Sequence, residues 1–204
     1  MCDCQKCPRL AEFIRGNKKI YPSFFNAPVP SFGDKNGQVL VVGLAPGLKG
    51  ANRTGRPFTG DYAGDLLYAT LQKFGFLKGE YRAAIDDGIV LRNLRIANAV
   101  RCVPPENKVT GAEIKNCNAL LKSEIASMPN LKVIIALGTV AHNAVLMAMG
   151  RRQSDFVFAH ASKHEIGGGV VLIDSYHCSR YNTSTKRLTT AMFEYVFAMA
   201  RQAI

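Results

Sequence analysis

The order of elements along this chain predicts an α/β fold, a single-domain α/β/α sandwich around a central, mostly parallel four-stranded sheet. Three observations carry that expectation. Short apolar runs alternate with amphipathic stretches of helical period. The runs are bounded by Gly, Pro, Asn and Asp, and none is long enough to be a helix by itself. At 204 residues and 48% hydrophobic, the chain can bury one sizeable core, and nothing in it marks a second domain, an internal repeat or a low-complexity segment.

Taken in order, residues 1–37 begin Cys-rich, pass a basic stretch at 15–19 and end in a turn-rich segment at 26–34. One short helix is the only regular element expected there. Residues 38–43 read as a buried strand. A glycine-rich loop follows, and then an amphipathic helix over 61–74 with Leu66, Leu67, Thr70, Leu71 and Phe74 on its apolar face. A second strand is expected at 94–100. Thr110 and Glu113 form a capping box that starts a helix running to about residue 128. Residues 131–137 are a buried strand ended by Gly138, with a helix over 139–149. The last strand is placed at 169–173 and the final helix from about residue 184. In parallel sheets ligands sit beyond the carboxyl ends of the strands. The loops that leave the first, second and last strands are the ones with unusual residues.

The stretch 41–65 is the most unusual of them. Glycines at 43, 47, 50, 55, 60 and 64 permit backbone approach that a Cβ would block, so the loop can lay N–H groups around a ligand. Phe58 is the only large apolar residue between Leu48 and Tyr62. It either anchors the loop to the core or offers its ring to a ligand.

Lys and Arg number 26 against 15 Asp and Glu, giving +11 and a sequence pI near 9.6. That balance points to a polyanionic partner, nucleic acid first, although a merely soluble basic protein has the same balance. The charge is scattered, with modest concentrations at 151–152 and 180–187. No apolar run approaches a membrane span and the first residues lack a signal-peptide core, so a cytoplasmic protein with no membrane partner is expected. In a reducing compartment six cysteines point to metal more than to disulfides. Cys4 and Cys7 form a C-x-x-C, and Cys102 and Cys117 supply two dispersed thiols. This set suits an iron–sulfur cluster, with a zinc site as the rival. Simple core packing fits Cys117 poorly, because Lys115, Asn116 and Asn118 beside it are polar. Cys2 reads as incidental and Cys178 as a small packed residue. The metal is expected to be structural, pinning residues 1–37 to the loop after the second strand.

Five strings in order resemble the type b, or family 5, uracil-DNA glycosylases of bacteria and archaea. They are Pro-Val-Pro-Ser-Phe-Gly-Asp at 28–34, Gly-Leu-Ala-Pro-Gly at 43–47, Gly-Ala-Asn-Arg-Thr-Gly-Arg-Pro-Phe-Thr-Gly-Asp at 50–61, Asn-Ala-Val-Arg-Cys-Val-Pro-Pro-Glu-Asn at 98–107 and His-Cys-Ser-Arg-Tyr-Asn-Thr-Ser-Thr at 177–185. Each is weak alone; together they span nearly the whole chain. The resemblance implies a uracil-DNA glycosylase-like fold and a [4Fe-4S] cluster on Cys4, Cys7, Cys102 and Cys117. Two departures stand out. The third motif of the family usually reads His-Pro-Ser, and here Cys178 replaces the proline. Type a relatives place a glutamate where this chain has Leu44, which is characteristic of type b and removes one catalytic carboxylate.

The resemblance also implies roles. A deaminated base would turn out of double-stranded DNA, stack on Phe58 and lie against the turn of Gly43, Leu44, Ala45 and Gly47, whose N–H groups face its carbonyl oxygens. The Asn98 amide would read the C=O and ring N–H of uracil, hypoxanthine or xanthine. His177 would donate to the carbonyl that gains charge, and Asp61 would orient water, although an Asp at a helix start is also an ordinary cap. Ser179, Arg180, Tyr181 and Asn182 would form a wedge loop, and Arg53, Arg56, Lys186 and Arg187 would meet phosphates. His142 reads as core or a cap, and His160 and His164 as solvated. A monomer in the nucleoid is expected. The alternative is a non-catalytic iron–sulfur protein that binds DNA or senses redox state on the same scaffold.

Overall fold

The computed structural model describes residues 4–204; Cys2 lies outside the described residues. The chain runs α1 (Pro8–Ile20), β1 (Phe32–Gly33), β2 (Val39–Gly43), α2 (Ala51–Thr54), α3 (Tyr62–Lys73), β3 (Leu77–Lys78), β4 (Val90–Leu91) and β5 (Leu94–Asn98). It continues through α4 (Gly111–Ala126), β6 (Val133–Leu137), α5 (Thr139–Ala148), β7 (Lys163–Glu165), β8 (Val171–Ser175), α6 (Arg180–Ser184) and α7 (Thr190–Gln202).

The main sheet has six strands in the order β1-β5-β2-β6-β8-β7, not the four expected. The four central strands are the predicted ones and run parallel. The two added edges, β1 and β7, pair antiparallel. They were invisible in the sequence because two or three residues are too few to set a period of two. Lys163 and Glu165 also put charge on the β7 edge, which discourages pairing with another chain.

Every residue of the four central strands is buried. Alternation then sorts their side chains to two faces. Val39, Val41 and Ile135 meet Leu67, Leu71, Phe193 and Phe197 on one side. Leu40, Val42 and Ile134 meet Leu121, Val145 and Leu146 on the other. Full burial of each such side chain contributes on the order of 2 kcal/mol.

Three further expectations are corrected. α1 is 13 residues long and is followed by β1, so residues 1–37 are more ordered than their turn-rich end suggests. The supposed wedge loop at 179–182 is the start of α6, capped by Ser179. The last helix begins at Thr190 with Thr189 as its cap, not near 184. A separate β3–β4 ribbon, with Leu77 opposite Leu91, was not foreseen. The predicted capping box of Thr110 and Glu113 is present.

Candidate active site

β2 and β5 pair with Gly43 opposite Asn98, so both strands deliver their last residue to the same point of the rim. Close approach is what requires glycine at 43. A Cβ there would lie 2.6 Å from Asn98 Oδ1 and 2.5 Å from Phe58 Cζ. Asn98 is 6% exposed, and its Oδ1 is buried with no hydrogen-bond partner among the described residues. An orphaned buried acceptor costs about 1–3 kcal/mol. A ligand or an ordered water that donates to it removes that cost. Phe58 adopts φ +53, a left-handed conformation that is uncommon outside glycine. Its ring lies 6.0 Å from the His177 ring and within 28° of parallel to it.

These residues open into one cavity of about 820 Å³. Leu44, Ala45 and Gly47 come from the loop after β2, with Phe58 and Asp61 further along it. Asn98 comes from the end of β5, and His177, Ser179 and Arg180 from the chain that leaves β8. The three predicted loops therefore converge. Not every predicted residue joins them. Gly43 sits behind Phe58, and Tyr181 is 71% exposed on α6. Arg53 lies outside the cavity, its guanidinium 3.4 Å from Gly60 O. Asn182 donates to the His177 carbonyl at 2.8 Å and so braces that loop from within. Arg56 is not placed to meet a phosphate. It is buried, with two nitrogens on the Asp87 carboxylate at 2.8 and 2.7 Å.

Asp61 serves two geometries at once. Its Oδ1 accepts from Gly64 N at 3.1 Å as the N-cap of α3, while its carboxylate lines the cavity. Any side chain at Gly50 would overlap it. Burial raises the Asp61 pKa above the usual carboxylate range, Asp65 adds to this, and the backbone bonds oppose it. His177 has no hydrogen bond to its ring nitrogens among the described residues, and burial lowers its pKa to about 4. The imidazole is therefore neutral. Cys178, in the place of the proline, is buried and donates its thiol to Ala63 O at 3.5 Å, tying the His177 loop to α3.

Residues 30–201 match the family model described as the uracil DNA glycosylase superfamily. The chain belongs to the uracil-DNA glycosylase superfamily. It is 40% identical over 204 residues to the type-5 uracil-DNA glycosylase of Thermus thermophilus, across 98% of this chain and 93% of that one. It is 36% identical to the type-5 uracil-DNA glycosylase of Pyrobaculum aerophilum, across 98% and 88%. A type-4 uracil-DNA glycosylase from the same archaeon matches at 32% over 151 residues, 74% of this chain and 63% of that one.

Within this superfamily member, sequence reasoning gave no role to Lys49, Tyr62 or Asn107, which also line the cavity. Asn107 had a signal. It stands in the fourth resembling string beyond β5, and both it and Glu106 are left-handed, at φ +57 and +53. Tyr62 lies under the Arg180 guanidinium at 5.2 Å, closing one side of the mouth. His164, read as solvated, instead hydrogen-bonds the buried Asp174 at 3.0 Å.

The glycosylase also gathers its four candidate ligands. Cys4, Cys7, Cys102 and Cys117 line a second cavity of about 160 Å³ together with Leu10, Pro28 and Leu120. Two N–H donors reach the sulfurs, from Arg101 N to Cys117 at 3.4 Å and from Asn116 to Cys7 at 3.7 Å. Burial, followed by the neighbouring thiols, pushes Cys102 up to about 12. An all-sulfur donor set is compatible in chemistry with an iron–sulfur cluster and with a zinc ion alike. A separate group, His142, His164 and Asp174, brings three potential donor atoms within 4.8 Å of one another. No helix among the described residues is long and apolar enough to cross a membrane.

Proposed function

We propose that this protein is a uracil-DNA glycosylase that draws a deaminated base out of double-stranded DNA into the 820 Å³ cavity and hydrolyses its N-glycosidic bond, leaving an abasic site. The observation that carries this reading is the unpartnered Asn98 Oδ1, buried in a cavity it shares with Phe58 and His177. A flat heterocycle laid against Phe58 brings a ring N–H to that oxygen and a carbonyl to the amide N–H₂ of the same residue. Uracil offers that edge, and so do hypoxanthine and xanthine. The cavity has room for a purine, which supports a range of deaminated bases.

As the C1′–N bond lengthens, its electron pair moves onto the base and charge collects on the carbonyl oxygens. Neutral His177 acts as a hydrogen-bond donor there, and no proton need transfer. The sugar becomes oxocarbenium-like. Asp61, whose Oδ1 is held by Gly64 N, places a carboxylate near that cation and orients the water that adds to C1′. The water loses a proton and the departing base takes one up. Arg180 or Tyr181, at the exposed start of α6, fills the gap in the helix. Scattered positive charge holds the backbone, and one protein molecule suffices for one lesion. A [4Fe-4S] cluster held by Cys4, Cys7, Cys102 and Cys117 would fasten the segment before α1 to the β5–α4 loop and to α4 as a structural clamp.

A substrate panel tests the reading. Duplexes with one uracil, hypoxanthine, xanthine or mismatched thymine are treated with the protein and then with alkali. Cleavage at uracil and at the two deaminated purines, with thymine slower, is expected. DNA retained by the protein with no alkali-labile site on any substrate would instead favour the non-catalytic alternative.

A further inference from the structure

We infer that Tyr81 is a positioning residue for base excision, its phenol fixing the left-handed turn that holds the Phe58 ring towards the cavity. The inference rests on the reading of Phe58 as the platform for the base. Tyr81 lies in the segment that joins β3 to β4, outside every string by which the chain resembles its relatives and 23 residues from Phe58. Its phenol uses both of its hydrogen-bonding functions on this one turn. It donates to Phe58 O at 3.3 Å and accepts from Gly60 N at 3.3 Å.

The turn needs such a hold. A phenylalanine at φ +53 relaxes towards an ordinary conformation unless its surroundings prevent it. On the far side the Phe58 carbonyl packs against the first turn of α3, where any side chain at Gly64 would overlap it. On the near side Tyr81 is the group bonded to that carbonyl. The neighbouring carbonyl, of Pro57, is held by Tyr68 Oη at 2.8 Å, and the Tyr68 and Tyr81 rings stack at 4.3 Å and 21°. The buried pair of Arg56 and Asp87 anchors the start of the turn and is bridged back to Thr59 by Arg56 Nε at 2.8 Å. Asp87 belongs to the same joining segment as Tyr81. The excursion between β3 and β4 is thus a brace behind the platform, and Tyr81 is its point of contact with Phe58. Burial pushes the Tyr81 phenol up to about 12, so it remains a donor at any working pH.

Tyr81→Phe removes the hydroxyl and leaves the ring stack in place. Single-turnover excision of uracil is expected to slow about tenfold, because a small misplacement of a reacting group costs one to two orders of magnitude. Affinity for undamaged duplex should stay within about twofold, since no phosphate contact changes. In a Phe58→Ala background the same substitution should change the rate by less than about twofold, because the two groups act through one element. Hydrogen exchange at the Gly60 amide, which needs no substrate, should speed about tenfold. An unchanged rate for Tyr81→Phe, an equal loss in both backgrounds, or an unaltered Gly60 exchange would each overturn the inference. If the parent protein proves inactive on every base, the function proposed above fails instead, and the Gly60 exchange still decides whether Tyr81 sets the turn.

Discussion

Two histidines near the end of β8 occupy opposite environments. His142, on α5, has both ring nitrogens engaged: Nδ1 with Asp174 Oδ1 at 2.7 Å and Nε2 with Phe156 O at 3.0 Å. His164 meets the other Asp174 oxygen, and all three side chains are wholly or largely buried. His177 lies three residues beyond Asp174, faces an open cavity and has no hydrogen bond to its ring nitrogens among the described residues. Burial alone would lower the His142 pKa, but the hydrogen bond and charge of Asp174, with the Phe156 carbonyl, raise it. At His177 burial acts unopposed, and the pKa falls to about 4. A fully partnered polar cluster stabilises the fold, whereas an unpartnered polar group beside a cavity keeps its bonds for something that arrives.

The largest expected effect concerns the cavity. Asn98→Ala should slow single-turnover uracil excision about 10³-fold, near 4 kcal/mol of transition-state stabilisation. A loss below tenfold would erase the distinction between the two regions. On the partnered side, His142→Ala leaves the Asp174 carboxylate buried with His164 alone. It should cost about 3 kcal/mol of stability, measured by chemical denaturation, while excision per folded molecule is unchanged. Asp61→Asn separates cap from catalyst. Asn caps α3 about as well, so the melting temperature should hold while excision falls about tenfold.

The smallest effect is a difference in sign. The folded His142 pKa lies above its unfolded value of 6.5, so the stability it brings is complete below that value and is lost as pH rises through the folded pKa. The folded His177 pKa lies near 4 and below the unfolded 6.5, so the unfolded chain takes up the proton first and stability falls as pH drops across that window. Unfolding curves of His142→Gln and His177→Gln across pH should therefore flatten opposite ends of the parent profile.

The legible parts of the fold were those with a period. Four central strands, four of the helices and the Thr110–Glu113 box follow from local pattern alone. β1, β7 and α6 are too short to show one, and β1 exists only because Phe32 pairs with Ile96 across the sheet. At the site, the three loops were legible because strand ends must converge on one rim, whereas Asp61, Asn98 and His177 were singled out within them by the family resemblance. What braces them was not legible. Tyr81 and Asp87 act across 23 and 31 residues through paired hydrogen bonds, and no local spacing encodes that. Arg56 looked like a phosphate ligand for the same reason, since its partner is remote and hidden.

The account turns on a single everted base completing the bonds that Asn98 leaves open. A crystal structure with a duplex that carries one 2′-fluoro-deoxyuridine, whose fluorine resists oxocarbenium formation, measures this directly. Uracil is expected against Phe58, with its ring N–H on Asn98 Oδ1 and a carbonyl within reach of the His177 imidazole. A uracil still stacked in the helix, or one in the cavity with Asn98 Oδ1 unbonded, would contradict it.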